Sequence, residues 1–184
     1  MPGDASKLAI KAAKAADLQI VATHLPPYPR NQHNRYFQSQ LSGDGIFLIA
    51  WLGAMPVGHV FLALKPSTAD AVLESQRQQP FVKDLYVHTK YRMQNIGSSL
   101  MEAAEEEARK HAAQAIGLGV SVKNEIAQNL YAKLGYENSG QGEYEEKGKF
   151  VDGDGLEKDW TERCYFFVKP LAVLACIIWL ASFC

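Results

Sequence analysis

Residues 81–100 read FVKDLYVHTKYRMQNIGSSL, a β-rich run, a polar join and the opening of a helix in direct succession. Residues 81–88 carry the apolar and β-prone side chains of a strand. From Ile96 onward, Ile96, Leu100, Ala103, Ala104, Ala108 and Ala112 fall on one side of a 3.6-residue period, which predicts a helix over residues 96–113. The join between them is Tyr91-Arg92-Met93-Gln94-Asn95-Ile96-Gly97-Ser98. A helix start leaves backbone N–H groups without intrahelical partners and carries about half a positive charge, so it holds an anion with little side-chain help. Gly97 lets the backbone approach such an anion closely, and Arg92 adds a cation. A plain strand-to-helix turn capped by Asn95 is the competing reading of the same residues.

Downstream, residues 116–122 (IGLGVSV) predict a short strand and residues 126–134 an amphipathic helix, with Gly135 where a C-cap glycine belongs. Upstream, residues 46–52 (IFLIAWL) and 57–64 (VGHVFLAL) are joined by Gly53-Ala54-Met55-Pro56, the chemistry of an antiparallel hairpin. Residues 8–12 predict a first strand, residues 13–24 a helix ended by Pro26 and Pro27, and residues 28–40 a second short helix before Gly43-Asp44-Gly45. Residues 66–80 read as an exposed loop or short helix, residues 140–159 as a polar, acidic loop region, and residues 164–168 (CYFFV) as a closing strand. The sum is a mixed α/β domain over residues 1–170, followed by an apolar tail over residues 171–184.

Composition supports one folded domain: the chain has 184 residues, 47% hydrophobic and 21% charged, enough apolar material for a core. A net charge of -1 gives no field that would draw the molecule to nucleic acid. Cys164, Cys176 and Cys184 form neither a disulfide framework nor a zinc spacing, so a reducing compartment, the cytoplasm, is expected and no metal is called for. The N-terminus lacks the continuous apolar run of a signal peptide. The uncharged tail LAVLACIIWLASFC would span only roughly 21 Å as a helix, short against a hydrocarbon core of about 30 Å. It reads as packing on the chain's own core or as a non-native end, with membrane contact or a subunit interface as the other readings.

No G-x-x-x-x-G-K-S/T is present, and the dinucleotide fingerprint G-x-G-x-x-G is absent at the join. What Arg92-Met93-Gln94-Asn95-Ile96-Gly97 resembles is the acetyl-CoA signature Q/R-x-x-G-x-G/A of the GCN5-related N-acetyltransferase (GNAT) family, with Asn95 in place of one glycine. Asn is the non-glycine residue that best tolerates a left-handed backbone. Asp84-Leu85-Tyr86-Val87 resembles the family's strand before that loop, and residues 124–136 (NEIAQNLYAKLGY) resemble its N-x-x-A-x-x-L-Y-x-K-x-G-F/Y segment.

The resemblance implies a central, mixed, mostly antiparallel sheet with splayed central strands flanked by helices. Pantetheine would lie in the splay, pairing with main-chain groups of Leu85, Tyr86 and Val87, and the Val87 N–H would face the thioester carbonyl as an oxyanion donor. Amides of Gln94, Asn95, Ile96, Gly97 and Ser98, with Arg92, would receive the pyrophosphate, and Asn124 would contact the cofactor arm. Tyr131 would protonate the departing thiolate. A half-buried helix tyrosine packed near Leu134 and Tyr136 is the alternative reading of Tyr131.

The family often carries a glutamate where this chain has Lys83, which leaves Asp84 or His88 as base, or a water chain. Consecutive strand residues point to opposite faces, so Asp84 reaches the amine only if a bulge re-aims it.

The activity implied is direct acetyl transfer from acetyl-CoA to a primary amine of a small molecule or a protein. Family resemblance also implies homodimers. Lys83 and Asn95 keep open a non-catalytic acyl-CoA-binding module of the same fold. Nine Asp or Glu and three Lys between Glu137 and Glu162 suggest a cationic acceptor, or a solvated hairpin tip.

Overall fold

The computed structural model describes residues 7–25, 32–64, 79–151 and 154–171. Most of the stretch read as an insertion, residues 66–80, and tail residues 172–184 lie outside these. Leu171, the one described residue of the tail, is buried and donates its N–H to the Gln114 carbonyl at 2.7 Å. No helix among the described residues is long and apolar enough to cross a membrane.

Strand β1 (Leu8–Ala12) leads through a 3₁₀ turn (Ala15–Asp17) into α1 (Leu18–His24) and α2 (Gln32–Leu41). The hairpin β2 (Gly45–Leu52) and β3 (Met55–Ala63) follows, then β4 (Phe81–Val87), α3 (Ile96–Lys110), β5 (Ala115–Ser121), α4 (Glu125–Lys133) and the paired strands β6 (Glu137–Val151) and β7 (Glu157–Pro170). The sheet order is β1-β2-β3-β4-β5-β7-β6, antiparallel except for the β4–β5 contact.

Period-two alternation sorts the strand side chains into two cores. Leu48, Ala50, Val60, Leu62, Val82, Leu118 and Phe167 pack with Leu100, Met101 and Ala104 of α3 and with Tyr131 of α4. Their sequence neighbours Phe47, Ile49, Phe61, Ala63, Phe81 and Phe166 pack with Val21 of α1 and with Tyr36 and Phe37 of α2. Helix α4 ends at Gly135, whose φ of +84 is the left-handed conformation a C-cap glycine supplies.

One expectation is corrected. Residues 140–159 are not a loop: β6 and β7 form a long antiparallel ribbon from Glu137↔Val168 to Val151↔Glu157. Much of the ribbon is exposed on both faces, so it lacks the apolar alternation by which a strand is recognised, and charged pairs such as Lys149–Glu157 at 2.7 Å take its place.

Candidate functional site

Strands β4 and β5 pair only at Phe81↔Gly117 and Val82↔Leu118. Beyond that point β4 stays with β3 as far as Gly58↔Val87, and β5 stays with β7 as far as Ser121↔Cys164, so a wedge opens between them. Peptide groups alternate sides along a strand. The His88 N–H donates to the Val57 carbonyl of β3 at 2.9 Å, so the Val87 N–H and carbonyl face the wedge. The Arg92 Nε donates to that Val87 carbonyl at 3.1 Å. Leu85 shares this parity, whereas the Tyr86 carbonyl lies against Gly58 of β3. Tyr86 therefore turns its main chain away from the wedge.

At the wide end of the wedge, Met93 and Asn95 adopt left-handed φ of 61 and 62. The Asn95 side chain makes no capping bond, which removes the plain-cap reading of the join. The first intrahelical bond of α3 runs from the Ser99 N–H to the Asn95 carbonyl at 3.0 Å, leaving the amides of Ile96, Gly97 and Ser98 without helical partners. A Cβ on Gly97 would sit 3.8 Å from both Val87 and Leu130 side chains, so these amides open beside β4 and α4.

Asn124 caps α4 by accepting the Ala127 N–H at 3.1 Å, which leaves its amide nitrogen for a ligand. Tyr131 is buried edge-to-face against Tyr136, ring centroids 6.0 Å apart. Burial pushes its phenol up to about 12.

The opposite face of the sheet holds a cavity of about 570 Å³ whose lining includes Tyr36 and Arg35 of α2, Lys83 and Asp84 of β4, and Glu146 and Trp160 of the ribbon. Asp84 enters it through a bulge. His59↔Tyr86 and Phe61↔Lys83 are in register, so β4 carries one more residue than β3 between them. Asp84 takes that slack at φ 55. Lys83 and Asp84 consequently share one face, whereas Leu85 and Val87 pack on the α3 side and Tyr86 on the α2 side. His88 lies apart from this cavity, its Nδ1 accepting from the Lys90 N–H at 3.3 Å and its ring tilted on Tyr91.

The Asp84 carboxylate meets a residue the sequence reading passed over: His59 Nε2 lies 3.2 Å from Asp84 Oδ2. The only available signal was a histidine inside an otherwise apolar strand. The cavity is not uniformly acidic either, since Arg35, Lys83, Lys147 and Lys149 line it with Asp84, Glu146 and Glu162.

Behind His59 sits His33 of α2, 3% exposed and edge-on to it at 4.9 Å. Burial, more than the neighbouring His59, pushes the His33 imidazole down to about 4. Unfolded histidine titrates near 6.5, so between the two values the unfolded chain holds a proton that the folded chain does not, and stability falls as pH drops through this window by up to roughly 3 kcal/mol. Urea unfolding at pH 7 and pH 5 should show roughly 2 kcal/mol of that loss, and His33→Phe should show a smaller one.

Among the described residues no group of three or more His, Cys, Asp or Glu is placed to hold a metal ion. Residues 14–136 match the family described as Acetyltransferase (GNAT) family. No curated protein matches the chain. Among solved structures, the chain is similar to an N-acetyltransferase from Staphylococcus aureus Mu50, at 15% identity and TM-score 0.65, covering 91% of this chain and 100% of that one. It is similar to yncA from Salmonella typhimurium, solved with its cofactor acetyl-CoA, at 18% identity and TM-score 0.61, covering 91% and 95%. It is also similar to the PaiA N-acetyltransferase from Thermoplasma acidophilum in complex with coenzyme A, at 16% identity and TM-score 0.58, covering 89% and 99%.

Proposed function

Because the chain belongs to the acetyltransferase (GNAT) family, we propose that it moves an acetyl group from acetyl-CoA directly to a primary amine small enough for the cavity of about 570 Å³. The observation that carries this reading is the wedge between β4 and β5, which presents the Val87 main chain beside three unpaired helix-start amides. Acetyl-CoA is assigned to it from end to end. The pyrophosphate takes the amides of Ile96, Gly97 and Ser98, with Gln94, Asn95 and Arg92 at the loop and Asn124 across the arm. The arm runs along Leu85 and Val87, and the thioester carbonyl meets the Val87 N–H, which stabilises the charge that develops on attack.

On the other face, Asp84 takes the proton from the acceptor nitrogen as it bonds to the acetyl carbon. The departing thiolate is met by Tyr131. A phenol near 12 keeps its proton at neutral pH, yet full transfer to a thiolate whose thiol has an ordinary pKa, about 8.5, runs uphill by roughly 3.5 units. Tyr131 therefore acts chiefly by donating a hydrogen bond to the sulfur as charge builds.

An acyl-cysteine route through Cys164, the cysteine among the described residues, is disfavoured, because burial pushes its thiol up to about 12 and leaves too little thiolate for nucleophilic attack. The two departures from the family pattern are accommodated: Asn95 holds a left-handed backbone, and the bulge brings Asp84 to the position Lys83 would otherwise have to fill. The first keeps acyl-CoA binding, which either reading needs, and the second favours an enzyme over a non-catalytic binding module.

The test is thiol release from acetyl-CoA across a panel of primary amines, including amino acids, polyamines and an N-terminal peptide. Binding of acetyl-CoA without turnover on any amine would turn the assignment to the module. Tyr131→Phe is expected to lower kcat by about tenfold or more with acetyl-CoA affinity preserved. An equal loss of both would make Tyr131 a packing residue.

A further inference from the structure

The reading of Asp84 as the base leaves a buried histidine beneath it without an assigned part. His59 is 2% exposed, enclosed by the rings of Phe47, Tyr86 and His33 at 5.7, 5.6 and 4.9 Å, and its Nε2 lies 3.2 Å from Asp84 Oδ2. Its other nitrogen, Nδ1, is buried with no hydrogen-bond partner. A proton on Nδ1 would be an orphaned buried donor and would set the Nε2 lone pair against the carboxylate. A bare Nδ1 is the cheaper arrangement. The tautomer with its proton on Nε2 is thus selected by the packing, and that N–H donates to Asp84.

We propose that His59 is a positioning residue for the acceptor half of the reaction: it holds Asp84 Oδ2 so that Oδ1 faces the amine in the cavity. The inference rests on Asp84 being the base. In the step it serves, the N–H bond of the acceptor breaks, the proton moves to Asp84 Oδ1, and the nitrogen lone pair bonds to the acetyl carbon. His59 keeps its proton throughout, and the Asp84 proton leaves through the cavity mouth. Holding the carboxylate by a charge-assisted bond from a ring that cannot move also offsets the strain of a non-glycine residue at φ 55.

The groups facing this pair are His33 and Tyr36 of α2 below and beside it, and Lys83 on its own strand. Across the cavity stand Glu146 and Glu162, with Arg35 of α2 at its edge. Lys147 and Lys149 are engaged with Glu145 and Glu157. Of these, Tyr36 is a second buried donor to the Asp84 carboxylate, from the α2 side, so the His59 N–H supplies the grip from β3, and its loss leaves the carboxylate held from one side only.

His59→Phe keeps the ring stack and removes the donor, and His59→Gln restores an amide N–H at similar reach. The expected result for H59F is a fall in kcat/KM for the amine of about 10- to 30-fold at neutral pH, with acetyl-CoA affinity within about twofold. H59Q should recover most of the loss, and H59F should cost little further in an Asp84→Asn background. Should H59F not fold, His59→Met carries the same test. A loss that is unrescued by Gln or fully additive with D84N would overturn the proposal. Wild-type turnover in D84N would instead overturn the assignment of the base.

Discussion

Gly97→Glu is expected to bind acetyl-CoA about a hundredfold more weakly while the chain still folds. A Cβ at this position meets only ordinary contacts, 3.8 Å from Leu130 and Val87, and residue 97 lies within the first turn of α3, where glutamate suits the helix dipole. Folding therefore has no reason to fail. The side chain, however, would enter the corner where α3, β4 and α4 converge, and its carboxylate would compete for the amides that receive the pyrophosphate. A like charge within about 6 Å costs roughly 3 kcal/mol at an effective dielectric near 20, about two decades in affinity. Calorimetry with acetyl-CoA on G97E, beside Gly97→Ala as the uncharged control, checks this. Affinity in G97E equal to wild type would move the pyrophosphate elsewhere.

Asp84→Asn is the second large effect, a fall in kcat of about 100-fold or more at saturating acetyl-CoA. Asparagine tolerates the left-handed backbone that this position adopts at φ 55, so the bulge persists. Its amide keeps a polar contact with His59 but accepts no proton. Asp84→Ala would add backbone strain to the chemical loss, which makes the asparagine variant the cleaner measurement. Acetyl-CoA affinity in D84N should stay within about twofold of wild type, since the proposed reading puts Asp84 on the acceptor side, away from the groups assigned to the cofactor. Turnover within threefold of wild type would remove Asp84 from the chemistry.

The donor side of the site was the more legible in the chain, because its parts are contiguous. A strand, a glycine and a helix start within a few residues of each other imply unpaired amides whatever the tertiary fold does, and the left-handed turn at Asn95 follows from that residue's own tolerance. The acceptor side was not legible in the same way. Whether Asp84 faces α2 or α3 depends on a single extra residue in β4, and no glycine at that point announces it. His59 and Asp84 meet only through the β3–β4 register, so neither residue's neighbours hint at the other. The ribbon was missed for a different reason: its strands are wetted on both sides over much of their length, and hydrophobic alternation reports burial before it reports extended backbone.

That ribbon has a consequence for how the chain can change. The proposed donor grip is built from β4, the start of α3 and α4, which reach the shared core through Val87, Ile96 and Tyr131, whereas Glu146, Lys147, Lys149, Trp160 and Glu162 project from the edge pair β6–β7. Their partners, such as Glu157 for Lys149 and Glu145 for Lys147, lie within the ribbon itself, so exchanges there leave the core under β4 and α3 untouched. On the proposed reading, selectivity among amines is thus free to drift, or to be re-engineered, by rewriting one hairpin while the acyl-carrying half is inherited unaltered.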